Sequence, residues 1–288
     1  MRTLLATVAQ QLAESERLDP ESRRHARREA SLIAAAVLDV SPGQLSRRLD
    51  AVPSAHERVA IDRAARRRSR GEPLAYAVGA AAFRDLVLHV DARVLIPRPE
   101  TEIVVDAVLA VTAGRVGGLA VDIGTGSGAI ALALATEGHF DAVWGTDVSS
   151  DALAVAETNR RLLPASAAPV TFACGTAFAP LPLQRARVIV SNPPYIAFDE
   201  AAALPPSVRD WEPPLALFAA DRGMARYEVL LAGAANHLEP AGWLVLEVDS
   251  RRANETATRA AHYGFADIRL VKDLSARDRV LVARCAAT

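Results

Sequence analysis

From Gly117 to the C-terminus, short apolar runs alternate with helix-patterned segments, and this alternation restricts the chain more than any other feature. The order is GLAVDIG, SGAIALALATE, AVWGTDV, SSDALAVAETNRRL, VTFAC and ARVIVSNPPYI, then GWLVLEV, a helix, ADIRLVKD and DRVLVAR. Strands separated by helices pair through crossover connections, so the pattern predicts a parallel sheet with helices on both faces. The last two strands follow each other through a short turn, which predicts an antiparallel edge. The fold class is therefore α/β. With 51% of 288 residues apolar, the chain has enough material for a large core.

The first 72 residues read differently, as helices only. Leu4, Leu5, Val8 and Leu12 share one face of a helix over 3–17, and a second helix is predicted from Glu21 to Leu38. Ser41-Pro42 offers an N-cap with proline at the first helical position. Ser54 and Glu57 form a capping box, and the helix they open stops at Gly71. Residues 1–72 are thus expected to be a small all-helical domain of four or five helices. Its arginines at 66–70 suit either an acidic partner or a solvated face.

Residues 73–98 read as a linker with a β-hairpin. Leu86, Leu88 and Val90 alternate with Val87 and His89, a turn is expected at Asp91-Ala92, and Val94 to Ile96 forms the second arm. Pro97 and Pro99 precede a helix from about Glu100 to Val111, which opens the α/β domain over 99–288.

Several function classes find no support. The net charge of −1 gives no argument for a polyelectrolyte partner, and no direct nucleic-acid contact is expected. Cys174 and Cys285 are too few for a disulfide framework, and the six histidines lack ligand spacing, so no metal is expected. No apolar run is long and clean enough to span a bilayer, and polar residues soon interrupt the apolar start of the chain. A cytoplasmic protein without a membrane partner is predicted. It is expected to be a monomer, because no extended apolar strip is left unassigned.

Two loops carry the chemistry. Asp122, Gly124, Thr125, Gly126, Ser127 and Gly128 follow a strand and open a helix. Glycines there let the backbone approach a ligand, and the helix start is expected to offer free N–H groups. Asp147 ends the next strand, where a carboxylate can accept both hydroxyls of a ribose. The third glycine arrives one residue early for a dinucleotide loop. The spacing G-x-G-x-G after an acidic residue is the usual first motif of S-adenosylmethionine methyltransferases, in which Asp122 helps hold the ammonium end. A tight turn with no ligand is the remaining reading.

The second loop, Ser191-Asn192-Pro193-Pro194-Tyr195, follows the apolar strand ARVIV. A primary amide is a poor nucleophile because its lone pair is delocalised. A site that methylates it must aim the nitrogen and favour loss of planarity. The Asn192 side-chain oxygen and the Pro193 carbonyl can accept the two N–H bonds, while the prolines stiffen the turn. Tyr195 offers a flat face for packing. Catalysis would rest on positioning and fixed dipoles. The same four residues suit the NH2 of adenine or guanine, so they specify the chemistry better than the substrate.

The chain resembles the HemK/PrmC family, bacterial protein-(glutamine-N5) methyltransferases that modify peptide-chain release factors. The residues that carry the resemblance are GEPLAY at 71–76, FRDLVLHVDARVLIPRPETE at 83–102, DIGTGSGAIALALA, TDVSSDAL, SNPPYI, WEPPLALFAADRGM and VKDLSARDRVLVAR. IPRPETE is the most specific of them. The resemblance implies a class I (Rossmann-like) seven-stranded methyltransferase sheet behind a helical substrate-recognition domain. It implies S-adenosylmethionine as cofactor, S-adenosylhomocysteine as product, and a class 1 release factor as partner, modified on the glutamine of Gly-Gly-Gln. By this resemblance Asp122, Gly124 to Gly128 and Asp147 hold the cofactor, Ala177 flanks its adenine, and Asn192 also borders it. Asn192 to Tyr195 hold the glutamine, and Arg98 and Glu100 line the entrance or brace the loops; a plain helix start is the other reading of these two. Two departures stand out: Thr176 replaces a frequent acidic residue near the adenine, and Asp249 replaces the glycine of an E-x-G motif. Methylation of a nucleic-acid base, methylation of a glutamine in another protein such as a ribosomal protein, and binding without turnover remain the alternative functions.

Overall fold

The computed structural model describes residues 1–286. These form two compact units, one of residues 1–80 with 204–211 and the other of 81–203 with 212–286.

The first unit is helical: α1 (Arg2–Ala13), α2 (Pro20–Arg24), α3 (Ala26–Val37), α4 (Pro42–Arg47), α5 (Ala55–Ser69) and α6 (Leu74–Val78). Both expected caps form. Ser41 with Gln44 and Ser54 with Glu57 make full capping boxes, each interaction of this kind contributing about 1 kcal/mol. Two boundaries differ from expectation. The first helix ends at Ala13, and the segment 21–38 breaks into two helices at His25. Asp19 caps a short helix of its own there, accepting from the N–H groups of Glu21 and Ser22. The core gathers Leu4, Val8, Leu12, Ile33, Leu45 and Ile61. Arg68 lies within it, paired to Glu29 at 2.6 Å and donating to the Glu72 carbonyl and the Ser22 hydroxyl. Arg67 pairs with Glu72. Two arginines of the basic run are therefore spent inside the unit. Gly71, at φ 95°, ends this region, and a Cβ there would lie 3.8 Å from the Trp211 indole nitrogen of the segment 204–211.

The second unit opens with a two-stranded hairpin, β1 (Ala80–Phe83) and β2 (Leu86–His89). The turn falls at Arg84-Asp85, with Arg84 at φ 53°, and residues 91–96 form no strand. The turn expected at Asp91-Ala92 does form, Val94 N–H donating to the Asp91 carbonyl at 3.1 Å, but the arm expected after it does not. Arg84 explains where the hairpin sits. Its guanidinium binds Glu137 at 2.6 Å and Asp106 at 2.7 Å, and its N–H donates to Glu102. These acids lie on α7 (Pro99–Thr112) and α8 (Ala129–Glu137).

The main sheet comprises β3 (Leu119–Ile123), β4 (Ala142–Asp147), β5 (Val170–Cys174), β6 (Ala186–Ser191), β7 (Leu238–Glu247), β8 (Ala266–Lys272) and β9 (Asp278–Arg284) in the order β5-β4-β3-β6-β7-β9-β8. The pairs from β5 to β7 are parallel. β9 inserts antiparallel between β7 and β8, so the antiparallel part is two strands wide and β8 forms the edge. α9 (Ser150–Arg160), α10 (Ala225–His237) and α11 (Ala253–His262) complete the layers. β3 and β6 are buried along their whole length, and Ala129 to Ala135 of α8 are buried all round, as a helix apolar on every face must be. The chain runs from β3 outward to β5, then returns to place β6 on the other side of β3. This switch point opens a crevice at the C-terminal ends of β3 and β6.

Candidate active site

A cleft of about 960 Å³, open to solvent, lies at that crevice. One side is the glycine loop: Gly124 and Gly126, at φ 74° and 55°, border the cleft, and a Cβ on either would project into open space. The loop is held from behind. The N–H groups of Gly124 and Thr125 donate to the Thr146 carbonyl at 2.8 and 2.9 Å, and that of Gly126 donates to Asp147 Oδ2 at 2.9 Å. Gly128 N–H donates to Thr125. The expectation of free N–H groups along this loop is therefore corrected: at these four residues they build the loop instead of facing a ligand. Gly128 has a packing role, since a Cβ there would meet Leu132, Phe172 and Ala156 at 3.1–3.3 Å. Thr125 and Ser127 are buried behind the cleft wall.

Asp122 is fully buried beneath the loop. Its Oδ2 accepts from Thr125 Oγ1 at 2.7 Å and from Ala131 N–H at 3.2 Å, while Oδ1 has no hydrogen-bond partner among the described residues. Burial pushes its carboxyl up to about 7, with nearby Asp147 adding to the rise and the two donors opposing it. Such an orphan acceptor costs about 1–3 kcal/mol while unmatched. Asp147 faces the cleft, and its Oδ1 also accepts from Ser149 N–H. Each of its oxygens keeps a lone pair for a further donor.

The other side is the acceptor loop. Asn192, Pro193 and Pro194 border the same cleft as Gly124, Gly126 and Asp147. The two loops are tied directly, Ser191 Oγ donating to the Ile123 carbonyl at 2.6 Å. Tyr195 packs behind the loop, its hydroxyl donating to Glu247 at 3.3 Å. Burial raises its phenol well above the ordinary value, and the Glu247 charge adds to that. A Cβ on Gly223 would strike the Tyr195 carbonyl, which explains a glycine there, at φ 88°.

Ala177 borders the cleft with φ 46°, a left-handed conformation that few non-glycine residues adopt. Thr176 is exposed and does not border the cleft. Arg98 and Glu100 also lie off it. Arg98 pairs at 2.5 Å with Glu212, which is buried and also accepts from Ile96 N–H. Burial raises the Glu212 carboxyl even against that arginine. Glu100 is exposed in the first turn of α7. Asp249 is held by Arg251 and Arg252, which also reach Glu200. Burial alone would raise its carboxyl; the two arginines bring it below the usual carboxylate range.

Comparison with known proteins adds the family. A release factor glutamine methyltransferase of Gloeobacter violaceus is 41% identical over 220 residues, covering 75% of this chain and 76% of its own. One from Cereibacter sphaeroides is 36% identical over 262 residues, covering 91% and 92%. The chain belongs to the release factor glutamine methyltransferase family. Residues 3–79 match the PrmC N-terminal domain and residues 101–204 the methyltransferase small domain. A methyltransferase from Pyrococcus furiosus has the same fold, with a TM-score of 0.52 at 19% identity over 71% of this chain and 91% of that one.

For a release factor glutamine methyltransferase, the residues that sequence reasoning missed are mostly those that hold the loops. Thr101 Oγ1 donates to Glu247 Oε2 at 2.6 Å, and Asn192 Nδ2 donates to Thr101 Oγ1 at 3.1 Å. Asn159 is fully buried and binds both the His89 backbone and the Ser127 carbonyl. Arg226 borders the cleft without an ion-pair partner among the described residues. Only Glu247 carried a signal, as the acidic residue in the apolar run GWLVLEV.

Proposed function

We propose that this chain transfers a methyl group from S-adenosylmethionine to the side-chain amide of a release factor glutamine, the one in Gly-Gly-Gln. The observation that carries the reading is the shared cleft: Asn192, Pro193 and Pro194 border the same space as Gly124, Gly126 and Asp147.

The residues suit that cofactor. Gly124 and Gly126 leave room where any side chain would intrude, Asp147 has lone pairs for ribose hydroxyls, and Asp122 supports the loop from beneath through Thr125 and the Ala131 N–H. When bound, S-adenosylmethionine supplies an electrophilic methyl group on a sulfonium sulfur. The chain itself orients the amide. Because Asn192 Nδ2 is committed to Thr101, its Oδ1 is left as an acceptor for one glutamine N–H. The fixed prolines hold the neighbouring carbonyl for the other. Drawing on both N–H bonds localises the nitrogen lone pair toward the methyl group, a gain from preorganised dipoles that needs no covalent intermediate. The helical unit, with its match to the PrmC N-terminal domain, docks the protein substrate. Among the described residues no helix is long and apolar enough to cross a membrane.

The test is intact-mass spectrometry of an unmethylated class 1 release factor incubated with the protein and S-adenosylmethionine, beside an Asn192→Ala control. One added methyl on the Gly-Gly-Gln peptide, absent in the control, is the expected result. No addition by protein that binds the cofactor would sink the release-factor assignment and turn the search to ribosomal proteins and nucleic-acid bases.

A further inference from the structure

The amide of Asn192 can face the cleft through its oxygen or, after a half-turn, through its NH2. Only the oxygen accepts a substrate N–H, so something must fix the choice. Thr101 Oγ1 accepts from Asn192 Nδ2 at 3.1 Å. A hydroxyl has one proton, and Thr101 gives it to Glu247 Oε2 at 2.6 Å. The other oxygen of Glu247 takes the Tyr195 proton at 3.3 Å. Thr101 and Glu247 are both buried, at 4% and 1% exposure, so water does not compete for these bonds.

We propose that Glu247 is a positioning residue that sets the direction of this hydrogen-bond chain, and through Thr101 forces Asn192 to present its oxygen to the substrate amide. The proposal rests on the function proposed above. An ionised carboxylate only accepts, so both Thr101 and Tyr195 must donate to it, and the Thr101 oxygen is left only as an acceptor for Asn192. A glutamine side chain at 247 can accept through just one end. Its NH2 would then reverse either the Thr101 bond, allowing Asn192 to flip, or the Tyr195 bond. Thr101 on α7 and Tyr195 on the acceptor loop donate to the carboxylate, with the Tyr227 phenol also nearby, and the charges of Arg279 on β9 and Glu100 on α7 act on it. Burial raises its titration and Glu100 adds to that, whereas Thr101, Arg279 and Tyr195 favour the charged form. The carboxylate does not border the cleft, whereas Asn192 does. Glu247 acts through the residue that does.

The experiment compares full-length wild type, Glu247→Gln, Thr101→Val and Thr101→Ser, measuring kcat, KM for the release factor, the Kd of S-adenosylmethionine, and melting temperature. In Thr101→Val, kcat is expected to fall at least tenfold, with KM and Kd within about twofold of wild type, and in Glu247→Gln it falls in so far as the new NH2 turns to Thr101; Thr101→Ser, which keeps the hydroxyl, recovers activity to within about threefold. The double variant Glu247→Gln/Thr101→Val falls no further than the worse single one, because both cut one chain. Full kcat in a folded Thr101→Val overturns the proposal, because a valine leaves the Asn192 amide nothing to donate to. So does a Thr101→Ser variant as impaired as Thr101→Val, or a loss of kcat that merely follows loss of cofactor binding. If Glu247→Gln does not fold, the two Thr101 variants decide the matter alone. Failure of the underlying function is distinguishable, since wild type itself would then bind S-adenosylmethionine and leave the release factor unmodified.

Discussion

The two loops that face each other across the cleft are built on opposite plans. The glycine loop is held largely by its own backbone, whose N–H groups turn inward to Thr146 and Asp147 at the end of the neighbouring strand. The acceptor loop is held by side chains from remote parts of the chain: Thr101 on α7 and Glu247 at the end of β7. A loop held by its backbone tolerates changes in most side chains but not the loss of glycine. A loop held by side chains depends on each hydroxyl and carboxylate. The first plan makes a shape and the second aims a group.

That contrast can be broken most forcefully at Asn192. Asn192→Ala is expected to lower kcat by about 10²- to 10³-fold, the usual loss when a preorganised polar contact to the reacting group is removed. Its Kd for S-adenosylmethionine should stay within about twofold by calorimetry. A matching loss of affinity would show that the acceptor loop also shapes the cofactor site. Gly126→Val should do the reverse. A β-branched side chain at φ 55° is strained and projects into the cleft, and about 100-fold weaker cofactor binding is expected, or about 2.7 kcal/mol. Unchanged affinity would contradict the place given to this glycine.

A third effect is electrostatic. Folding raises the Asp122 carboxyl from its ordinary 3.8 to about 7, so between those values the folded chain holds a proton that the unfolded chain has released. The Asp122 contribution is therefore most favourable below the lower value, and stability declines as pH rises toward 7, by up to about 1.4 kcal/mol per pH unit. Denaturant titrations of wild type and Asp122→Asn across pH 5 to 8 would reveal it, because the variant should lack this slope. The smallest effect is expected at the tie between the two loops. Ser191→Ala removes one buried hydrogen bond, which contributes about 1 kcal/mol and lowers the melting temperature by about 2–4 °C. A larger drop, or a coupled loss of kcat, would mean the two plans are less independent than their hydrogen bonds suggest.

What the sequence revealed follows the same division. The strand–helix alternation, the helix caps at Ser41 and Ser54, and the glycine loop with Asp147 were legible because each is specified by residues close together in the chain. The hairpin was misplaced because its turn uses Arg84 in a left-handed conformation, where glycine or asparagine would have been the signal. What fixes Arg84 is its contact with Glu137 and Asp106, far along the chain. The insertion of β9 beside β7 hid for a similar reason: alternation predicts that two final strands pair, not which of them meets the sheet. Thr101, Asn192 and Glu247 were invisible as a set. They lie 91 and 146 residues apart, and only the folded topology brings them together.

The helical unit claims residues 204–211 as well as 1–80, and this has a bearing on how such a chain can change over generations. An exchange of the first 80 residues for those of a relative would deliver the helices without the segment that follows the acceptor loop. The old segment, with Trp211 near Gly71, would then meet helices it had never been selected against. A change in either stretch therefore meets the surface of the other. The helices form a module in space without being one in the gene.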